Sequence, residues 1–207
     1  MAKKRLAILI SGRGSNMMAL VAAARAPDYP AEVVAIVSSQ PDAAGLAWAR
    51  AEGLPATCID PEAYASRQAF DGAVDRVLAE ADAELVALAG FMRILSPQFV
   101  RKWHARQLNI HPSLLPAFKG LNPQAQALAA GVKISGCTVH FVTEDLDGGP
   151  IIAQTAVPVC EGDTAQALAA RILRAEHALY PGALALVAAG RARLSDGRVT
   201  ILAAAAT

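Results

Sequence analysis

The first half of the chain alternates short apolar runs with longer amphipathic stretches, and this alternation constrains the fold more than any other feature of the sequence. Apolar runs between turn residues predict buried strands, and a 3.6-residue periodicity predicts helices. The predicted strands are 6–10, 33–38, 56–59 and 85–89, and the predicted helices are 16–25, 43–52 and 64–81. Strands that alternate with helices form βαβ units, so the sheet is expected to be parallel.

After residue 90 the connections shorten and several strands follow one another. Strands are predicted over 107–111, 136–142 and 150–159, with a long helix over 164–189 and a last edge strand over 199–202. We therefore predict an α/β fold, with one open, mostly parallel, Rossmann-like sheet and a mixed or antiparallel C-terminal part. The 207 residues contain no linker or repeat, so a single domain over 1–207 is expected, with a frayed alanine-rich end from Ala203.

The composition argues against several classes of protein. The 19 basic and 18 acidic residues leave a net charge of +1, without the basic stripe typical of nucleic-acid binding. The apolar runs are far shorter than the ~20 residues of a membrane span. Three widely spaced cysteines without a CxxC pair argue against a disulfide framework, and no spacing of His, Cys or Asp predicts a metal site. Since no signal-peptide pattern is present, a cytoplasmic protein is expected.

The turn after the first strand, Ser11-Gly-Arg-Gly-Ser-Asn16, is rich in glycine and opens the first helix. Backbone N–H groups converge in such a turn, and the helix N-terminus favours an anion. Ser15 and Asn16 are residue types that cap helices. The turn lacks the Lys-Ser/Thr of a P-loop, and Met17 occupies the third glycine position of a dinucleotide fingerprint. The pattern favours a phosphate monoester, with an ordinary tight turn as the alternative.

Asn109 and His111 lie two residues apart on a predicted strand that Pro112 ends. Because side chains alternate along a strand, both project from the same face at its carboxyl end. An amide that donates to a developing oxyanion, beside an imidazole that moves a proton, suits acyl transfer to an amine. A structural histidine next to a turn is the alternative interpretation.

The acidic segment 144–150 lies between two predicted strands. Acidic residues before Gly-Gly-Pro are usually solvated turn formers. If Asp147 instead folds back against His111, it can orient the imidazole and stabilise its charged form. Asn109, His111 and Asp147 would then form a compact acid–base set.

The segment Gly90–Ser96 follows the fourth predicted strand and is largely apolar. Such a loop at the carboxyl edge of a sheet can line a pocket for a flat heterocycle, with backbone groups that hydrogen-bond to the edge of the ring. Ordinary core packing is the alternative.

Together these motifs resemble the phosphoribosylglycinamide formyltransferases, the folate-dependent glycinamide ribonucleotide transformylases of purine synthesis. The resemblance covers essentially the whole chain, in order and spacing. Besides the glycine-rich turn, it rests on the segments AGFMRILS (89–96), LNIHPSLLP (108–116), GCTVHFV (136–142) and DLDGGP (145–150). It implies the formyltransferase fold. It also implies transfer of a formyl group from 10-formyltetrahydrofolate, as co-substrate, to the amine of N1-(5-phosphoribosyl)glycinamide.

The resemblance also implies roles for individual residues. Asn109 and His111 would stabilise the tetrahedral oxyanion, while Asp147 would raise the proton affinity of His111 and assist proton removal from the amine. The positions implied for the ribonucleotide phosphate and ribose are Gly14, Ser15, Asn16 and Glu176. The positions implied for the folate, or for either substrate, are Arg67, Met92, Arg93, Ile94, Leu95, Asn109, Glu144 and Asp145. The N-terminal half would thus serve the ribonucleotide, and the C-terminal half the folate and the catalysis.

Three positions depart from or extend the family pattern. Gln124 stands where many members carry a second histidine, so a cationic role there is lost. Leu173 replaces a lysine that some relatives have near the phosphate. Arg13, within the glycine-rich turn, is expected to add positive charge at the phosphate.

Three other functions are the alternatives to this interpretation. A formyltetrahydrofolate deformylase uses similar residues on water but usually carries an additional N-terminal domain, and a methionyl-tRNA formyltransferase adds a basic C-terminal domain. Both are therefore expected to be longer than 207 residues. A non-catalytic phosphosugar- or folate-binding domain is the alternative from a different class. The expected partners are small-molecule substrates, and apolar helix faces leave room for a homodimer.

Overall fold

The computed structural model describes residues 2–203. The strands in chain order are β1 Lys4–Ile10, β2 Ala31–Ser38, β3 Ala56–Cys58, β4 Leu85–Leu88, β5 Gln107–His111, β6 Ile134–Phe141, β7 Ile151–Pro158, β8 Ala192–Ser195 and β9 Arg198–Ile201. The helices are α1 Ser15–Ala24, α2 Ala44–Ala51, α3 Arg67–Glu80, α4 Pro97–Lys102, α5 Pro123–Ala129 and α6 Ala165–Ala188, with a 3-10 turn at Pro61–Ala63.

Seven strands form a sheet in the order β3-β2-β1-β4-β5-β6-β7, and the chain divides into two compact units, residues 1–108 and 109–207. In the first unit β1 pairs in parallel with β2 and β4. The β1 segment Leu6–Ile10 is completely buried, as a strand covered on both faces must be. Because β1 and β4 run the same way, the loops after Ile10 and Leu88 leave from the same edge of the sheet.

In the second unit β6 and β7 are antiparallel neighbours. Helix α6 packs on them through Leu168 and Ile172, which form a buried cluster with Cys137, Ala127 and Val157. The mostly parallel α/β sheet with an antiparallel C-terminal part is therefore confirmed.

The structure corrects several predicted boundaries. The N-cap of α1 is Gly14 at φ +73°, not Ser15 or Asn16, and no side chain caps this helix. Helix α3 begins at Arg67 rather than at 64 because Ser66 is extended and its hydroxyl accepts from the Ala69 N–H. The short helices α4 and α5 were not predicted.

The C-terminal segment also differs from its prediction. The expected edge strand over 199–202 is β9, which pairs with β8 in a separate two-stranded sheet. Asp196 and Gly197 both adopt positive φ between them, as a tight hairpin turn requires. Of the predicted frayed end, residues 204–207 lie outside the described part of the chain. No helix within 2–203 is both long enough and apolar enough to cross a bilayer.

Candidate active site

Strand β5 presents Asn109 and His111 at its carboxyl end. Because side chains alternate along a strand, Asn109 and His111 share one face, and the buried Leu108 and Ile110 lie on the other. His111 is itself only 6% exposed, and Asn109 is half-buried. A buried imidazole needs hydrogen-bond partners, and those partners define the chemistry of this site.

Asn109 is held by His140, a residue of the neighbouring segment β6. The Asn109 Nδ2 lies 3.2 Å from His140 Nε2, and His140 Nδ1 lies 2.9 Å from the Phe141 carbonyl. Because a carbonyl only accepts, Nδ1 of His140 carries the proton and Nε2 accepts from the Asn109 amide. Burial lowers the pKa of His140, which favours this neutral form.

Both ring nitrogens of His111 face protein acceptors. Nε2 donates to the Phe118 carbonyl at 2.9 Å, and Nδ1 lies 3.4 Å from Asp147 Oδ2. A carboxylate at Nδ1 holds the ring in orientation. His111 is therefore positioned to give up or take a proton with Asp147 as its counter-charge.

Asp147 is brought to the imidazoles by a sharply folded loop. Its backbone has φ +49°, its side chain is 8% exposed, and its Oδ2 accepts from the Gly120 N–H at 2.9 Å. Its Oδ1 lies 3.9 Å from His140 Nε2. A Cβ at Gly149 would lie 1.8 Å from the Phe141 carbonyl oxygen, so only glycine allows this close return of the loop.

The two aspartates of this loop have different environments. Asp145 is exposed and pairs with Lys119 at 3.4 Å, as a solvated turn former would. Asp147 lies against His111 and His140 instead. The structure thus brings together Asn109, His111 and Asp147, with His140 between them, and we call these four residues the imidazole cluster.

The turn that follows His111 is fixed by one buried threonine. The Thr138 hydroxyl donates to the Ser113 carbonyl at 2.7 Å and accepts from the Leu115 N–H at 3.0 Å. The Gln154 side chain donates to the same hydroxyl at 2.9 Å and to the Leu115 carbonyl at 2.9 Å. This network fixes the end of β5, and with it the position of His111.

In the first unit, the segment Ser11–Asn16, here called the glycine turn, joins β1 to α1. Gly14 packs against Gly45, where an added Cβ would lie 2.9 Å from the Gly45 Cα. The Gly45 N–H donates to the Gly12 carbonyl at 3.0 Å, which fixes the turn from a second side. Arg13 is exposed, Ser15 is half-buried and Asn16 is buried. The N-terminus of a helix such as α1 favours an anion.

The segment Gly90–Ser96, here called the 90–96 loop, is exposed in the middle and held at both ends. Met92 and Ile94 are 71% and 63% exposed, whereas Phe91 and Leu95 are buried. The Phe91 ring stacks on Phe70 of α3 at 6.4 Å. At the far end, the Ser96 N–H donates to the buried Asp71 carboxylate at 2.6 Å. Held in this way, the exposed middle, including Arg93, can contact a ligand without unfolding its ends.

The remaining predicted site residues have varied surroundings. Arg67 is exposed in the first turn of α3, and Glu144 is exposed beside Asp145. Glu176 is buried on α6; burial, with a smaller contribution from this carboxylate, raises the pKa of the Cys137 thiol to about 12. Gln124 and Leu173, the departures from the family pattern, are half-buried on α5 and α6.

His140 is a site residue that was not predicted from the sequence. The sequence does contain a signal for it, because Thr138 and His140 are polar residues two positions apart in the buried strand β6. Buried polar residues with strand spacing indicate partners on one face of the strand. Within 2–203, no three His, Cys, Asp or Glu side chains are arranged to hold a metal ion.

Comparisons with known proteins agree on one family. The Formyl transferase family matches residues 4–184. The phosphoribosylglycinamide formyltransferase of Escherichia coli K12 is 42% identical over 191 residues, covering 92% of this chain and 90% of that protein. The crystal structure of glycinamide ribonucleotide transformylase 1 from Symbiobacterium toebii superposes with a TM-score of 0.94 at 49% identity, covering 97% of this chain and 95% of that one.

Another relative is much longer than this chain. The trifunctional purine biosynthetic protein adenosine-3 of Bos taurus is 52% identical over 198 residues, which cover 95% of this chain and 20% of that protein. The chain therefore spans about a fifth of the length of this relative.

Proposed function

The chain belongs to the formyl transferase family, and on that premise we propose that it transfers a formyl group from 10-formyltetrahydrofolate to the amine of N1-(5-phosphoribosyl)glycinamide. The observation that carries this proposal is the imidazole cluster, in which Asn109, His111 and Asp147 meet in a buried, hydrogen-bonded arrangement. An amide donor, an imidazole and a carboxylate are the groups that acyl transfer to an amine needs.

In the proposed reaction the glycinamide amine attacks the formyl carbon and forms a C–N bond. The carbonyl oxygen becomes an oxyanion, and the bond from the formyl carbon to N10 of the folate then breaks. The amine loses one proton and N10 gains one, so the transfer needs no oxidant or reductant. The residues have to stabilise the oxyanion and relay that proton.

Asn109 is suited to stabilise the oxyanion because an amide nitrogen carries two N–H donors. One of them is directed to His140 Nε2, which accepts because its Nδ1 proton is donated to the Phe141 carbonyl. The other remains for the substrate oxygen. His140 is therefore assigned as a positioning residue that fixes the orientation of the Asn109 amide.

His111 supplies the second donor and moves the proton. Its Nε2–H has to exchange the Phe118 carbonyl for the substrate oxygen, while Asp147 stays at Nδ1. The carboxylate stabilises the imidazolium that carries the proton between amine and leaving group. Removal of either group should therefore lower turnover more than it weakens substrate binding.

The substrate subsites in this proposal follow the family resemblance and the local structure. The glycine turn, through Gly14, Ser15 and Asn16, receives the ribonucleotide phosphate, because a helix N-terminus favours an anion. Glu176 is assigned to the ribose. The folate is assigned to the 90–96 loop. Arg67, Glu144 and Asp145 are assigned to contacts with the folate or with either substrate.

The wider setting of the reaction is also a proposal. The described cysteines Cys58, Cys137 and Cys160 are free, which suits the reducing cytoplasm. We assign small-molecule substrates as the partners, with no nucleic acid and no membrane surface. A homodimer, for which the sequence leaves room, would appear in sedimentation equilibrium as twice the 21.5 kDa chain mass.

The test is to incubate the purified protein with 10-formyltetrahydrofolate, with and without the ribonucleotide, and follow loss of the formyl group by absorbance. Loss that requires the ribonucleotide and yields formylated product is expected. Loss of the formyl group without the ribonucleotide would indicate a deformylase instead of a transferase. No loss under either condition would indicate a binding protein without this activity.

A variant pair makes the assay specific to the site. His111→Ala should lower turnover by orders of magnitude, since a positioned acid–base group contributes about 10²–10⁴-fold. His104→Ala removes an exposed imidazole outside the imidazole cluster and serves as the matched control. Equal turnover of the two variants would remove His111 from the mechanism.

A further inference from the structure

Ser11, the first residue of the glycine turn, makes hydrogen bonds to two neighbouring segments of the first unit. Its N–H donates to the Gly90 carbonyl at 3.1 Å, and its hydroxyl accepts from the Met92 N–H at 2.8 Å. The same hydroxyl pairs with the Ser39 hydroxyl at 2.7 Å. The start of the glycine turn is thus tied directly to the start of the 90–96 loop.

These bonds continue the parallel pairing of β1 with β4 beyond the ends of both strands. Within the pairing, the Ala89 N–H donates to the Leu9 carbonyl at 2.9 Å. In a parallel ladder, the residue whose N–H donates to Gly90 accepts through its carbonyl from Met92. At Ser11 the side-chain hydroxyl provides that acceptor instead, at the position where the backbone of β1 turns into the anion-binding loop.

In the 90–96 loop, the Met92 N–H is held by the Ser11 hydroxyl, next to Phe91, whose ring stacks on Phe70. Met92 and Ile94 are 71% and 63% exposed, and the far end of the loop is held separately by Asp71 at Ser96. The position of the Met92 backbone therefore depends on the position of the Ser11 hydroxyl. That hydroxyl in turn moves with the glycine turn, since it belongs to the same short segment.

We propose that the Ser11 hydroxyl couples the two substrate sites, so that a phosphate bound at the glycine turn strengthens folate binding at the 90–96 loop. The inference rests on the proposed function. A bound phosphate adds to the contacts that fix the turn and orders it further, and Ser11 then holds Met92 in place before the folate arrives. The ordering is shared between the two ligands, which makes their binding mutually favourable. Ser11 acts as a positioning residue in this scheme.

The coupling is measured with ribose 5-phosphate, which carries the phosphate but has no amine to accept the formyl group. The Kd of 10-formyltetrahydrofolate is determined by titration calorimetry with and without saturating ribose 5-phosphate. In the unaltered protein the Kd should fall by about two- to tenfold, the range that one neutral hydrogen bond supports. In Ser11→Ala the two Kd values should agree within about twofold, because the link from turn to loop is lost.

Two further variants distinguish this role from a general effect on the fold. Ser39→Ala removes the partner hydroxyl but leaves Ser11 as acceptor for Met92, so the coupling should persist. Ser11→Thr keeps the hydroxyl, so the coupling that Ser11→Ala loses should be present in this variant. In steady-state assays Ser11→Ala should raise the folate KM, with kcat at saturation of both substrates unchanged within about twofold.

The outcomes separate this inference from the proposed function. Coupling in Ser11→Ala equal to that of the unaltered protein, or no coupling in the unaltered protein, would overturn the inference while formyl transfer persists. Absence of both folate binding and formyl transfer in the unaltered protein would overturn the proposed function instead.

Discussion

The glycine turn and the imidazole cluster are built from different parts of the polypeptide. The glycine turn is fixed through its backbone, at Gly12 and Gly14, and its one charged side chain, Arg13, is exposed. The imidazole cluster consists of side chains, three of which, His111, His140 and Asp147, are less than 10% exposed. The first therefore depends on backbone conformation, and the second on the identity and protonation of its side chains.

This difference predicts which changes each region tolerates. A substitution that preserves the backbone conformation should have a small effect on function in the glycine turn and a large one in the imidazole cluster. A substitution that strains the backbone should have its main effect on the glycine turn. The predictions below test this contrast, from the largest expected effect to the smallest.

Asp147→Asn should lower turnover by about 10²–10⁴-fold, because the carboxylate that faces Nδ1 of His111 is lost. Ribonucleotide binding should remain, since the glycine turn is unaltered. Steady-state kinetics and calorimetric titration with the ribonucleotide check the two halves of this prediction.

Asp196→Asn is the matched control for Asp147→Asn. Both aspartates have φ +49° in tight turns, but Asp196 lies in the β8–β9 hairpin. Near-normal turnover of a folded Asp147→Asn protein would mean that Asp147 only shapes its loop. The contrast between the two regions would then lose its main support.

Gly14→Ala should raise the ribonucleotide KM about tenfold or more, because a displaced turn misplaces the bound phosphate. The added Cβ would sit at φ +73° and 2.9 Å from the Gly45 Cα, so strain and overlap combine. The strain at this position should also lower the free energy of unfolding by about 1–3 kcal/mol, measured by urea denaturation.

Gly53→Ala separates strain from overlap. Gly53 has φ +70°, but an added Cβ would have no neighbouring atom within 4 Å, so only the strain remains. Its substitution should cost about 1–2 kcal/mol of stability and leave the ribonucleotide KM unchanged. A KM rise as large as that of Gly14→Ala would show that the effect is not local to the glycine turn.

Acid should destabilise the protein through His140 and His177, the two imidazoles whose pKa burial lowers. Burial lowers the pKa of His140 below its ordinary value of 6.5, so the unfolded chain binds its proton first as the pH falls. The free energy of unfolding should therefore decrease below pH 6.5, by at most about 1.4 kcal/mol per pH unit for one group. A protonated His140 also turns Nε2 into a donor, which opposes the Asn109 amide.

Urea midpoints at about pH 7.5 and about pH 5.5 measure this acid sensitivity, on either side of the ordinary histidine range. His140→Asn should reduce the loss of stability on acidification. His177, whose pKa burial also lowers, contributes in the same direction, so His177→Asn should reduce the loss independently. If the variant with both His140→Asn and His177→Asn loses as much stability on acidification as the unaltered protein, the acid sensitivity arises elsewhere in the chain.

Arg13→Ala should have the smallest effect, raising the ribonucleotide KM about two- to fivefold, the range of an exposed charge pair. The effect should shrink further at high salt, because exposed charges are screened. An unchanged KM at low salt would leave the glycine turn as a site made of backbone groups alone.

Much of the fold and of the candidate site was accessible from the sequence. The apolar run at Leu6–Ile10 predicted a buried strand, and the two-residue spacing of Asn109 and His111 predicted a shared face. The short helices α4 and α5 were missed, although Ser96-Pro97 and Asn122-Pro123 are helix-start signals. Their apolar periodicity is too brief to detect in a chain whose composition is dominated by alanine.

The sequence by itself determined the order of strands β1 to β7 and of the helices α1, α2, α3 and α6. It also determined the glycine turn and the residue types of the imidazole cluster, because these follow from local periodicity, turn chemistry and spacing. Tertiary structure alone decided that Asp147, and not Asp145, folds back to the imidazoles, and that His140 holds Asn109. It also decided that the Ser11 hydroxyl receives Met92. The physical reason is that these contacts join residues distant in the chain, and their geometry depends on how strands pair and loops return, which no local pattern encodes.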